Sequence, residues 1–188
     1  MRVTGVVQGV GFRPFVHRLA DELGLAGQVG NDAEGVFLEA IGPAPALEAL
    51  LRRIRDEAPP MAVVDDVAVV SDELVSDELV SGAAASGGFR IVASPEAPAA
   101  TTATSIPPDT AVCETCLVEL RDPRDRRFGY PFIACTHCGP RVTITTGLPY
   151  DRAHTTMADF PLCAPCRAEY EDPCSRRFHA QPTACPAC

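Results

Sequence analysis

Cys113-Glu114-Thr115-Cys116, Cys135-Thr136-His137-Cys138, Cys163-Ala164-Pro165-Cys166 and Cys185-Pro186-Ala187-Cys188 divide the second half of the chain into two equivalent blocks. Each block reads C-x2-C-x18-C-x2-C, 24 residues separate them, and the second is the first shifted by 50 positions. More than cysteine repeats. Asp122-Pro123 matches Asp172-Pro173, Arg126-Arg127-Phe128 matches Arg176-Arg177-Phe178, and Ala134 matches Ala184. One structural unit is used twice.

The spacing has a physical reason. Two residues between cysteines let a tight turn aim both sulfurs at one ion, and two such knuckles complete a tetrahedron at about 2.3 Å per Zn–S bond. The 18-residue gap falls within the range for paired knuckles. A lone Cys-x-x-Cys could be a redox pair, but four in duplicate are poorly explained that way. Disulfides are the competing account. Nothing at the N-terminus reads as a secretory or targeting segment, which favours metal and sets the expectation of a cytoplasmic protein. The expectation is two structural zinc ions held by Cys113, Cys116, Cys135, Cys138, Cys163, Cys166, Cys185 and Cys188. The knuckles pair either sequentially, as the repeat suggests, or in a nested arrangement. The ninth cysteine, Cys174, has Arg124 as its counterpart, and His137 has Ala187, so neither is expected to be a ligand.

Composition narrows the function classes. With 188 residues, the chain holds one ordinary domain or two small ones, and 46% hydrophobic residues suffice for a core. No apolar run approaches the ~20 residues that span a bilayer, so no membrane partner is expected. The formal charge is −9, of which residues 1–98 carry −8 and residues 99–188 carry −1. Nucleic acid is therefore a poor partner, since binding to a phosphate backbone needs a positive surface. The chain contains no lysine, which excludes a Schiff-base or Walker lysine.

In the first half, residues 2–7 read as a strand, followed by the glycine loop Gln8-Gly9-Val10-Gly11-Phe12-Arg13. A helix is expected from Pro14, at its first position, to about Leu23, with Val16, Leu19, Ala20 and Leu23 on one face and Gly24 ending it. A glycine loop running into a helix N-terminus beside an arginine can bind an anion. Pro14 stands where a dinucleotide fingerprint needs its third glycine. Residues 26–31 and 36–41 form a hairpin around Asn31–Gly35, a second helix spans 44–57, and strands follow at 62–70 and 88–92. The order is βαββαβ with a final short strand, which predicts an α+β sandwich of ferredoxin-like type over residues 1–93. Val-Ser-Asp-Glu-Leu occurs twice, at 70–74 and 75–79, and reads as a lengthened loop. Residues 94–108 read as a Pro/Ala/Thr-rich linker, leaving 109–188 for the zinc module, with its fingers at 113–138 and 163–188.

Two stretches carry a family resemblance. Gly5-Val6-Val7-Gln8-Gly9-Val10-Gly11-Phe12-Arg13 resembles the signature loop of acylphosphatases, and Gly30-Asn31-Asp32-Ala33-Glu34-Gly35-Val36 resembles their second motif. Such a domain followed by the duplicated cysteine module, with Cys138-Gly139-Pro140-Arg141 and Arg177-Phe178-His179-Ala180-Gln181-Pro182, resembles the N-terminal part of the HypF family of hydrogenase-maturation carbamoyltransferases. The tandem Val-Ser-Asp-Glu-Leu departs from that pattern.

The resemblance implies an acylphosphatase-type fold and hydrolysis of carbamoyl phosphate or another acyl phosphate. It implies Arg13 and Asn31 as the catalytic pair, with Gln8, Gly9, Val10, Gly11, Phe12 and Arg13 binding the phosphate. It further implies that later ATP-dependent and transfer domains pass the carbamoyl group to a HypE-type acceptor protein. Without the resemblance, Arg13 reads as a solvated charge and Asn31 as a turn residue chosen for backbone tolerance. His17 reads as a surface or packing residue, and His154 and His179 are given no role. The alternative is a catalytically silent α/β domain joined to a zinc-dependent protein- or peptide-binding scaffold.

Overall fold

The computed structural model describes residues 1–70, 88–95 and 105–188. Most of the tandem Val-Ser-Asp-Glu-Leu and residues 96–104 of the expected linker lie outside them. The chain forms two compact units, one comprising Met1–Gln8 with Phe12–Ser105 and the other Gly9–Gly11 with Ile106–Cys188.

In the first unit, β1 (Arg2–Val6), α1 (Phe12–Glu22), β2 (Ala26–Asn31), β3 (Val36–Ile41), α2 (Ala44–Asp56), β4 (Val63–Ala68) and β5 (Phe89–Ile91) follow in order. The sheet runs β4-β1-β3-β2-β5. β1 is antiparallel to β3 and β4, β2 is antiparallel to β3, and β5 lies parallel to β2. This is the expected ferredoxin-like sandwich with the short last strand added at one edge.

Alternation in the strands and 3.6-residue periodicity in the helices build one core. On β3, Val36 and Leu38 are fully buried, while Glu39 is exposed. On α1, Phe12, Phe15, Val16, Leu19 and Ala20 are buried, and Leu50 and Ile54 of α2 join them. Leu23, expected on the α1 face, is only half-buried, as are Leu47 and Leu51 of α2. Helix α1 starts at Phe12, two residues earlier than the proline rule suggests, so Pro14 is its third residue. The position is still harmless, because the first four N–H groups of a helix have no partner within it. Gly24 ends α1, and the Leu25 N–H returns to the Ala20 carbonyl at 2.8 Å.

The second unit is held by two helices, α3 (Glu114–Arg121) and α4 (Ala164–Glu171), each beginning directly after the first cysteine of its block. The repeat is real in three dimensions. Asp122 and Asp172 each cap the following turn, accepting from the Arg124 and Cys174 N–H groups at 2.9 Å. Gly129 has φ 67° and its equivalent, His179, has φ 50°, a left-handed conformation that glycine adopts freely and histidine rarely. Both N–H groups bond the same helix position, Leu120 and Tyr170, at 2.9 Å. The His179 ring lies against Tyr170 and Phe178, with centroids 5.0 and 4.7 Å away. Among the described residues no helix is long and apolar enough to cross a membrane.

His17 is a packing residue, as expected. Its ring meets Phe89 edge-on at 6.3 Å, and burial pushes its pKa below the usual 6.5 against the opposing pull of Asp21 and the Phe89 backbone. The fold therefore prefers the neutral imidazole. As pH falls below about 6.5, the unfolded chain takes up the proton first and stability drops. Denaturant unfolding of the wild type between pH 7.5 and 5 should show a steeper loss than His17→Gln, and parallel profiles would contradict this account.

Candidate functional site

The loop after β1 and the end of β2 lie at the same end of the sheet, since both strands run antiparallel to β3 between them. Gln8 is fully buried, and its side-chain amide donates to the carbonyls of Asp32 and Gly35, both at 2.8 Å. This clamp ties the start of the glycine loop to the β2–β3 hairpin. Gly9 and Gly11 take φ of 75° and 77°, which lets the loop turn back into α1. The helix start then presents the N–H groups of Phe12 and Arg13, and Pro14 contributes none. Arg13, in the first turn, is 7% exposed, which does not fit a solvated charge.

Asn31 is the last residue of β2, paired with Val36, and is 1% exposed. The turn role that sequence could assign to Asn31 belongs instead to Asp32. Its carboxylate accepts from the Glu34 and Gly35 N–H groups at 2.9 and 3.0 Å and from Arg2 at 2.9 Å. Sequence reasoning missed the Gln8 clamp and the Arg2–Asp32 contact, because both join residues more than twenty positions apart.

In the second unit the cysteines collect sequentially: Cys113, Cys116, Cys135 and Cys138 in one cluster, and Cys163, Cys166, Cys185 and Cys188 in the other. Within each cluster all sulfurs lie within 4.8 Å of one another. Cys113–Cys135 and Cys135–Cys138 are 3.6 and 3.8 Å apart, and Cys163–Cys185 and Cys185–Cys188 are both 3.7 Å apart. A tetrahedron with Zn–S bonds of about 2.3 Å has edges of about 3.8 Å. Disulfide sulfurs would sit at about 2.05 Å, and all nine cysteines are free. The donor set therefore fits Zn²⁺. Cys174 is exposed and outside both clusters, and neither Cys174 nor His137 contributes a ligand atom to them.

Each cluster is flanked by arginines of the other repeat. Arg126 donates through both terminal nitrogens to Cys166 Sγ at 3.3 Å, and Arg127 reaches the same sulfur at 3.4 Å. Arg176 donates to Cys116 Sγ at 3.1 Å. Arg127 and Arg177 also donate from Nε to the carbonyls of Ala184 and Ala134, at 2.9 and 3.1 Å. Glu169 accepts from Arg127 at 2.6 Å and pairs with Arg126 at 2.7 Å, while Glu119 pairs with Arg177 and Arg176. Burial pushes both glutamates up, but the arginine hydrogen bonds outweigh it and hold them below the usual carboxylate range. The sequence signal was there: Glu119 and Glu169, like the arginines, occupy equivalent positions. The region between the blocks bonds both repeats: Arg141 donates to the Cys138 carbonyl of the first at 2.9 Å. Arg152 donates to the Gln181 and Thr183 carbonyls at 2.8 Å, and its own N–H reaches Gln181 Oε1 at 2.7 Å.

Comparison with known proteins follows this division. The acylphosphatase family profile matches residues 1–91, and the HypF finger profile matches 112–145 and 162–188. An acylphosphatase of Thermotoga petrophila is 47% identical over 70 residues, covering 37% of this chain and 77% of that protein. The carbamoyltransferase HypF of Rhodobacter capsulatus is 54% identical over 191 residues, covering all of this chain and 23% of the relative. The chain belongs to the HypF family. A crystal structure of full-length HypF in the phosphate- and nucleotide-bound form superposes with a TM-score of 0.80 at 42% identity, over 99% of this chain and 23% of that one. The chain spans about a fifth of the length of the curated HypF proteins it matches. It supplies their acylphosphatase-like domain and zinc-finger family module.

The Arg127–Glu169 pair has side chains 2% and 29% exposed, so removing the carboxylate strands a buried guanidinium. Glu169→Ala should destabilise the second unit by about 3 kcal/mol or more. Glu171→Ala, which breaks only the exposed Arg167–Glu171 contact at 3.8 Å, should cost under about 1 kcal/mol. Denaturant unfolding of the metal-loaded protein distinguishes the two.

Proposed function

We propose that the first unit hydrolyses carbamoyl phosphate, or another acyl phosphate, as the front end of a HypF-type carbamoyltransferase. The observation that supports this most is Arg13, buried at the first turn of α1 beside a left-handed glycine loop that Gln8 ties to the strand end bearing Asn31. Arg13 holds two phosphoryl oxygens through its planar guanidinium. Backbone N–H groups from Gln8 to Phe12 share the remaining charge at the helix N-terminus. Asn31 orients a water for in-line attack on phosphorus. The new P–O bond forms as the bond to the acyl oxygen breaks, giving phosphate and carbamate, with the water's proton released to solvent. No strong base is required, because phosphoryl transfer depends mainly on positioning and charge stabilisation and the acyl leaving group is a good one.

In this reading the two clusters each hold one Zn²⁺ in a structural role. Eight cysteines fill two tetrahedra, leaving no open coordination position for metal catalysis. When bound, the ions supply folding free energy that a small core cannot. In the longer protein the carbamoyl group would pass through ATP-dependent and transfer domains to a HypE-type acceptor for NiFe hydrogenase maturation. The carbamoyltransferase names of the relatives support that assignment.

Phosphate release from carbamoyl phosphate tests the hydrolase. Arg13→Ala should lose about 3–4 kcal/mol of transition-state stabilisation, a drop of more than a hundredfold in kcat/KM at unchanged far-UV circular dichroism. Wild-type-like turnover in the variant would refute the assignment of Arg13. Chelation tests the metal: stripping zinc should unfold residues 109–188 and leave the first unit folded. A metal-free protein with both units intact would rule out the structural role.

A further inference from the structure

The two arginine pairs of the duplicated module, Arg126–Arg127 and Arg176–Arg177, reach from each repeat into the other's cluster. Four thiolates around one Zn²⁺ carry a net charge of about −2, which a partly buried site must balance. Among the described residues, no arginine side chain donates to a sulfur of its own block. Arg126 and Arg127, of the first block, bond Cys166 of the second. Arg176 and Arg177, of the second block, approach Cys116 of the first, and Arg176 also reaches Cys113 at 3.8 Å. Within each block these arginines sit in the 18-residue stretch between the two knuckles, whose ends are joined when both knuckles share an ion. A further bond runs across the repeats. Thr136, inside the second knuckle, donates its N–H and hydroxyl to the Arg176 carbonyl at 3.1 and 3.0 Å. Its equivalent, Pro186, has neither group.

Resting on the reading that these clusters bind zinc, we propose that the two sites load as one cooperative unit, coupled by the exchanged arginine pairs. Metal at the second cluster closes the segment that carries Arg176 and Arg177, and so delivers the counter-charge that the first cluster needs. Metal at the first does the same for the second through Arg126 and Arg127. Coupling of this kind is reciprocal by linkage. The arginines are positioning residues, and they touch the sulfurs rather than the metal.

Native mass spectrometry of the metal-free chain titrated with Zn²⁺ reads the coupling directly. Two independent, equal sites at half-loading leave about half of the molecules singly loaded, and a tenfold coupling cuts that to about a quarter. The wild type should show a quarter or less. Arg126→Gln and Arg176→Gln, made singly and together, should move the singly loaded share back towards half, with two ions still bound at saturation. The side chains of Arg126 and Arg176 are 32% and 22% exposed, so these changes are gentler than substituting Arg127 or Arg177, which are 2% and 4% exposed. If the double variant fails to bind two ions, the single variants decide. A wild type with half its molecules singly loaded overturns the proposal, as does strong coupling that both single variants leave unchanged. A chain that takes up no zinc overturns the metal reading itself and this proposal with it.

Discussion

The duplicated module depends on a guanidinium that crosses from one repeat to the other. Arg127 joins the Ala184 carbonyl, a Glu169 oxygen and the Cys166 sulfur, and Arg177 makes the equivalent set at Ala134, Glu119 and Cys116. A planar group with five donors in a rigid fork can serve a carbonyl, a carboxylate and a sulfur at once, which an ammonium cannot. The carboxylate then offsets part of the arginine's own charge and keeps it in place. Neither repeat is complete alone. The exchanged arginines add to an interior that the first block builds around Ile133, Ala134 and its cysteines.

The two halves of the duplication differ where other parts of the chain lean on them. His179 stands in the left-handed position that Gly129 fills in the first block, and its ring is wedged between Tyr170 and Phe178. Gln181, buried in the second block, accepts from Arg152 and from Tyr170. The first block cannot build the same network, because Pro131 stands at the position equivalent to Gln181 and has no side-chain acceptor. Arg152 of the inter-block region therefore bonds the second repeat through Gln181 and Thr183, while Arg141 of the same region donates to the Cys138 carbonyl of the first at 2.9 Å.

Around residues 8–13 a different constraint rules. A loop rich in glycine has high conformational freedom, and its amides converge on an anion only if its ends are anchored. The Gln8 amide anchors one end to the hairpin, and the buried face of α1 anchors the other through Phe12, Val16 and Leu19. Asp32 absorbs the geometry of the hairpin turn, which leaves Asn31 on regular strand backbone at the end of β2.

Much of this was legible without coordinates, because its causes are local or periodic. Knuckle spacing, strand alternation, the helix faces and the 50-residue repeat are all written in sequence separations. The signature residues around Arg13 and Asn31 likewise announced a family before any geometry was known. Spacing alone did not decide between sequential and nested pairing of the knuckles, nor which residues balance the charge of each cluster. The charge balance depends on contacts between residues 39 to 63 positions apart, and nothing in local propensity records which of two identical arginine pairs serves which cluster. The sequence determined the elements and the ligand chemistry; the tertiary structure alone decided the exchange between repeats, because long-range electrostatic pairing is a property of folded proximity and not of order along the chain.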